Sequence, residues 1–147
     1  MANERFATAE LIGPMRFDVT SGSGHTIVVD TKREGGGEDS GPSPVELVLM
    51  SLASCSGMDV ISILRKKRQD VTSYEVRVRG VRTDEYPQVY TAIEIEHVIT
   101  GHGVQPEAVA RAIELSETKY CSVSAMLGAT ATLTSSYQVL EAPQPGD

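Results

Sequence analysis

Two cysteines, three histidines and a glutamate two residues after a proline are the residues of this 147-residue chain that invite a chemical reading. Cys55 lies in LMSLASCSGMDVISIL, the least polar stretch, and Cys121 lies in SETKYCSVSAML. Free cysteine is among the most buried residue types, so composition alone reads Cys55 as a core residue ahead of a reactive thiol. Cys121 precedes a short helix beginning near Ser122, whose positive end favours a thiolate. A reducing cytosol seldom keeps a permanent structural disulfide, which leaves two inert thiols or a redox couple.

Other chemistries find less support. His25, His97 and His102 show no H-x-x-x-H spacing, and no C-x-x-C is present, so no metal site and no cofactor are expected. The SGSGH segment lacks both the nucleophile-elbow and the phosphate-loop pattern and reads as a turn. Papain-like catalysis places its cysteine at a helix amino end, whereas Cys55 falls about three turns beyond Pro44. Glu46 completes an S-x-x-E capping box with Ser43, with Pro44 at the first helical position.

The elements that must position these groups follow from periodicity. RFATAELI, MRFDVTS and HTIVVD predict two or three antiparallel strands, and TKREGGGEDSGPSP predicts a mobile loop. A long helix is expected from Pro44 to about Arg68, its basic end, LRKKRQD, facing the negative pole of the helix. SYEVRVRGVRT and YTAIEIEHVIT alternate as a hairpin joined through DEYPQ. A helix over residues 105–120, a short helix capped by Ser122 and stopped by Gly128, and a Thr-rich strand, ATATLTSSYQV, complete an α+β order. Residues 138–147 read as a flexible tail, and residues 1–147 as a single domain. The long helix is apolar around most of its circumference, so a second copy of the chain is the expected cover.

A net charge of −7 and a pI near 4.9 argue against nucleic-acid and anionic-membrane partners. MANERFATAE carries charges where a secretion signal needs an apolar run, so a cytoplasmic location is expected. Glu46, Ser51, Ser54, Ser56 and Asp59 interrupt the apolar helix, which argues against a membrane span.

GPSPVELVLMSLASCSGMDV followed by SETKYCSVSAML resembles the two cysteine motifs of the OsmC/Ohr family, the osmotically inducible and organic hydroperoxide resistance proteins. The resemblance covers residues 41–137 and is nearest to the OsmC-like branch, through SPVELVLMSLASCSGMDVISILRKKRQDV and KYCSV. It implies an intertwined α+β homodimer around a long central helix. It also implies a thiol peroxidase, in which Cys55 attacks an organic hydroperoxide, Cys121 resolves the sulfenic acid as a disulfide, and a dithiol reductant recharges the pair.

The family supports its thiolate with an Arg held by a Glu. Here Val45 stands at the position of that Glu, and Glu46, one residue later, points roughly opposite Cys55 on a straight helix. Arg33 or Lys32 aligns with the family's arginine, with Arg5 and Arg16 as alternatives. Asp59 shares the Cys55 face at i+4, where an unpaired carboxylate disfavours a thiolate. A second reading therefore stands beside the enzyme: a non-catalytic dimer that binds a small hydrophobic ligand or senses oxidation.

Overall fold

The structure, a computed structural model, describes residues 3–146 and divides into two compact units, Met1–Val48 and Leu49–Asp147. The first unit holds strands β1 (Ala7–Leu11), β2 (Phe17–Ser21) and β3 (Thr26–Val29), paired antiparallel in the order β1-β2-β3. Gly24, at φ 92°, turns the chain between β2 and β3, a conformation glycine adopts without steric cost. Two or three antiparallel strands were expected from these β-rich segments, and three form.

The segment expected to be a mobile loop is tethered instead. The buried Asp30 carboxylate accepts from the Ser40 hydroxyl at 2.6 Å and from the amides of Thr31, Glu38 and Ser40. The Ser40 hydroxyl foremost, with these amides, holds the Asp30 carboxyl down to about 2. A 3₁₀ turn over Arg33–Gly35 and a left-handed Gly36 complete the loop. Composition marked the absence of helix and strand here, but it could not show that one aspartate would collect four donors.

Helix α1 (Pro44–Lys66) starts where the capping box places it. The Ser43 amide and hydroxyl both donate to Glu46 Oε1, at 3.1 and 2.8 Å, and the Glu46 amide returns to Ser43 Oγ at 3.4 Å. At its other end Arg68 takes φ 58°, and the Gln69 amide reaches back to the Leu64 carbonyl at 2.9 Å, closing the helix two residues earlier than expected. By length and composition α1 could cross a membrane; Leu52, Ser56, Val60 and Leu64 are buried within the fold.

The second unit is a three-stranded sheet in the order β4-β5-β6 with helices beside it. β4 (Asp70–Arg82) and β5 (Tyr90–His102) form the expected antiparallel hairpin. β6 (Thr132–Glu141) pairs parallel to β5, so the helices α2 (Pro106–Leu115) and α3 (Ser122–Leu127) lie on the crossover between them. Along β5, Ile93, Ile95, His97 and Ile99 alternate inward and are at most 1% exposed. Ile99 packs with Val60, Leu64, Val109 and Ala112 in one core cluster. Ile93 and Ile95 pack with Leu52, Cys121 and Ala131 in a second, against which Cys55 leans.

Two terminal expectations need correction. The second helix does not run to Tyr120: it gives way to a π turn over Ser116–Tyr120, in which the Cys121 amide bonds the Ser116 carbonyl at 2.8 Å. The start of the expected flexible tail is held, since Glu141 belongs to β6 and the buried Ala142 donates its amide to the Gly101 carbonyl at 2.7 Å. Asp147, also within the expected tail, lies outside the described residues.

Candidate active site around two thiols

Both cysteines and Asp59 come together in the second unit. The two sulfurs and a carboxylate oxygen of Asp59 all lie within 4.8 Å of one another, and both thiols are free. Cys55 and Asp59 are one helical turn apart on α1, which puts their side chains on the same face. Cys121 arrives from the other side of the crossover through the π turn. The extra residue of that turn shifts the helical register so that the chain leaves at Cys121 in extended conformation.

The structure revises the cap of α3. Ser122 is the first helical residue, and Cys121 is the cap, its sulfur accepting the Ser124 amide at 3.3 Å. A sulfur in the place usually taken by a serine or aspartate oxygen is not a signal that capping preferences anticipate. Cys121 is 3% exposed and Cys55 half-buried.

The environment works against ionisation of Cys55. Desolvation first, then the hydrogen bond with Cys121 and the Asp59 charge, push its thiol up, while the Val123 amide opposes them. Asp59 is itself held: Ser116 donates its hydroxyl to Oδ2 at 2.9 Å, leaving the other oxygen free of that bond. Ser116 is fully buried, and its role was invisible in the sequence because only the π turn aims it at α1.

A buried polar pair lies further along the sheet. The Tyr74 hydroxyl sits 2.6 Å from His97 Nδ1, with the rings stacked at 5.9 Å. Burial lowers the His97 imidazole to about 4, so it is neutral and shares a single hydrogen bond with the Tyr74 hydroxyl. The Tyr74 hydroxyl is pushed up by burial and by the Asp59 charge. Neither residue could have been singled out from the alternating pattern of the hairpin alone.

Arg33 and Glu46, the sequence candidates for supporting the thiolate, belong to the first unit. The amide and hydroxyl of Ser43, with the Lys32 charge, hold the Glu46 carboxyl below its ordinary value. Arg33 opens the 3₁₀ turn of the tethered loop.

The second unit thus sets two adjacent thiols on an apolar floor. A family model described as OsmC-like protein matches residues 36–136. The chain belongs to the OsmC-like family. Protein YhfA of Escherichia coli strain K12 is 45% identical to this OsmC-like chain over 136 residues, covering 92% of it and 98% of YhfA. The crystal structure of a hypothetical protein from Aquifex aeolicus VF5 is similar at 34% identity and a TM-score of 0.84, over 97% of this chain and 100% of that one. An organic hydroperoxide resistance protein OsmC from Legionella pneumophila, at 14% identity and a TM-score of 0.70 over 95% and 99% of the two chains, shares the fold.

Proposed function

We propose that the chain is a thiol-dependent peroxidase that reduces organic hydroperoxides through Cys55 and Cys121, as a cytoplasmic stress-response homodimer recharged by a dithiol. The observation that carries this reading is the pair of free thiols, close enough to hydrogen-bond, set against Leu52, Ile93 and Ile95. The Cys55 thiolate attacks a peroxide oxygen; the O–O bond breaks, leaving a sulfenic acid on Cys55, and the alkoxide takes a proton and departs as alcohol. The Cys121 thiol then attacks the oxidised sulfur, the S–S bond forms and water leaves. A dithiol supplies two electrons and two protons to restore both thiols.

Arg33 is the proposed cation for the thiolate. Glu46 has a lesser proposed part, since its carboxylate already accepts from Ser43. The hydroperoxide resistance named for the Legionella pneumophila protein agrees with this chemistry. A second copy is the proposed cover for the open apolar groove of about 490 Å³ lined by Met50, Ala53, Gly57, Met58, Ile61 and Val76.

The alternative, a dimer that binds a hydrophobic ligand or senses oxidation, draws on one observation: the surroundings of Cys55 raise its thiol instead of lowering it. Turnover of an alkyl hydroperoxide with a dithiol separates the two. The peroxidase reading expects sustained peroxide consumption that Cys55→Ser abolishes; consumption no faster than the dithiol alone sustains would leave the binding or sensing dimer.

A further inference from the structure

Cys55, Asp59 and Cys121 form a donor set that the peroxidase chemistry does not need in full, because thiol attack and disulfide formation use the sulfurs alone. We propose that these three side chains are the protein ligands of a divalent zinc-type cation, with the fourth position open to water. Two thiolates and one carboxylate are a soft-to-borderline set, of the kind that selects zinc over magnesium or calcium. Three protein ligands plus a water is the arrangement of an open zinc site.

The geometry is near what such an ion requires. With Zn–S bonds of about 2.3 Å and Zn–O bonds of about 2.0 Å, tetrahedral ligand atoms lie roughly 3.3 to 3.8 Å apart. The three donors here already fall within 4.8 Å of one another, so side-chain rotation closes the difference. The outer contacts suit coordination as well. Ser116 donates to Oδ2 of Asp59 at 2.9 Å, which orients the carboxylate and leaves its other oxygen for the ion. The Ser124 amide donates to the Cys121 sulfur at 3.3 Å, and the Val123 amide to Cys55. Both bonds favour sulfur in its anionic form.

An entry path exists. Asp59 lines a cleft of about 350 Å³ together with Ser62, Ile63, Lys66, Lys67, Leu115 and Tyr120. The three anionic ligands exceed the charge of a divalent ion by one, and the two lysines of this cleft offset that excess. The ligands come from two distant segments, α1 and the junction between the π turn and α3, which is why no short Cys/His spacing announces the site. Binding replaces two thiol protons with the metal, so the occupied site holds both sulfurs as thiolates bonded to the ion. On the peroxidase reading, occupancy masks both the attacking and the resolving thiol until the ion is removed.

The test titrates the reduced, metal-free full chain with Co²⁺ and Cd²⁺ and follows thiolate-to-metal charge-transfer absorption, with Zn²⁺ as competitor. The proposal expects saturation at one ion per chain, proton release on binding, and loss of the charge-transfer band in both Cys55→Ser and Cys121→Ser. Asp59→Asn should weaken the affinity by more than about tenfold with its fold unchanged by circular dichroism. Ser116→Ala, which keeps all three ligands, should bind more weakly than wild type and more tightly than Asp59→Asn. A band that survives either cysteine substitution, an affinity indifferent to Asp59→Asn, or no saturation in excess metal would overturn the site. Peroxide turnover by the metal-free protein is scored separately: turnover without metal binding leaves the peroxidase standing alone, and metal binding without turnover leaves the metal site standing alone.

Discussion

The chain builds two three-stranded sheets, and it buries their apolar residues to different degrees. In β4–β6 the inward residues of β5 are sealed, Ile93, Ile95 and Ile99 being at most 1% exposed. In β1–β3 every residue of β1 is exposed, and Phe6, Leu11, Ile12, Met15 and Ile27 in and around the strands show 42 to 69% of their surface. Exposed apolar residues also lie on α1, where Met58 is 69% exposed beside the open groove. The second unit thus completes its own core and assembles both thiols and Asp59 from its own residues. The first unit carries all four basic candidates for the thiolate, Arg5, Arg16, Lys32 and Arg33, in the segments that flank its strands. The thiol pair is therefore a property of one unit.

The largest expected break falls on the sealed sheet. Ile95→Ala should cost about 2 to 5 kcal/mol in denaturant unfolding, because it empties a buried position that the surrounding cluster cannot refill. A cost below about 1 kcal/mol would mean that this sheet is no better packed than the other.

The same sheet carries a pH dependence through His97. Its imidazole, lowered to about 4 in the folded chain, rises to about 6.5 when unfolded. Below pH 6.5 the unfolded chain gains a proton that the folded chain refuses, so stability falls as pH drops toward 4. The total loss is about 3 kcal/mol. The difference between wild type and His97→Gln, followed by denaturation from pH 7 to pH 4, isolates this slope, and parallel curves for the two would contradict it.

On the open surface the effect appears in association. Met58→Asp should weaken self-association by about 2 kcal/mol or more, because it places a charge in the proposed dimer contact. Sedimentation checks this, and an unchanged association constant would exclude the Met58 groove from the interface.

The smallest effect belongs to the helix start. Glu46→Ala should cost about 1 kcal/mol and Glu46→Gln only a few tenths, since glutamine also completes the box. A loss of peroxide turnover in Glu46→Gln with normal melting would show that the carboxylate charge serves the thiol.

What could be read from the sequence was local. The Ser43–Glu46 box placed the start of α1 because its partners are three residues apart, and the alternation in β4 and β5 gave the hairpin because period two is written into each strand. The cysteine motifs pointed to the family that the comparisons show. What escaped depended on contacts between distant segments. The parallel pairing of β6 with β5 is fixed by packing across the crossover, not by anything in ATATLTSSYQV. The π turn looks like a continuing helix in sequence, because SETKY fits either, yet it decides where Cys121 and Ser116 point. The tethered loop looked mobile because glycine content reports backbone freedom and not the four donors gathered by Asp30.

The most direct test of the thiol pair is a mass and thiol count after one equivalent of an alkyl hydroperoxide. The proposed chemistry predicts that reduced wild type loses both free thiols and two mass units, as a Cys55–Cys121 disulfide. It predicts one added oxygen on Cys55 in Cys121→Ser, and no change in Cys55→Ser at the same exposure. Oxidation of Cys55→Ser as fast as wild type, or an oxygen trapped on Cys121 instead, would contradict it.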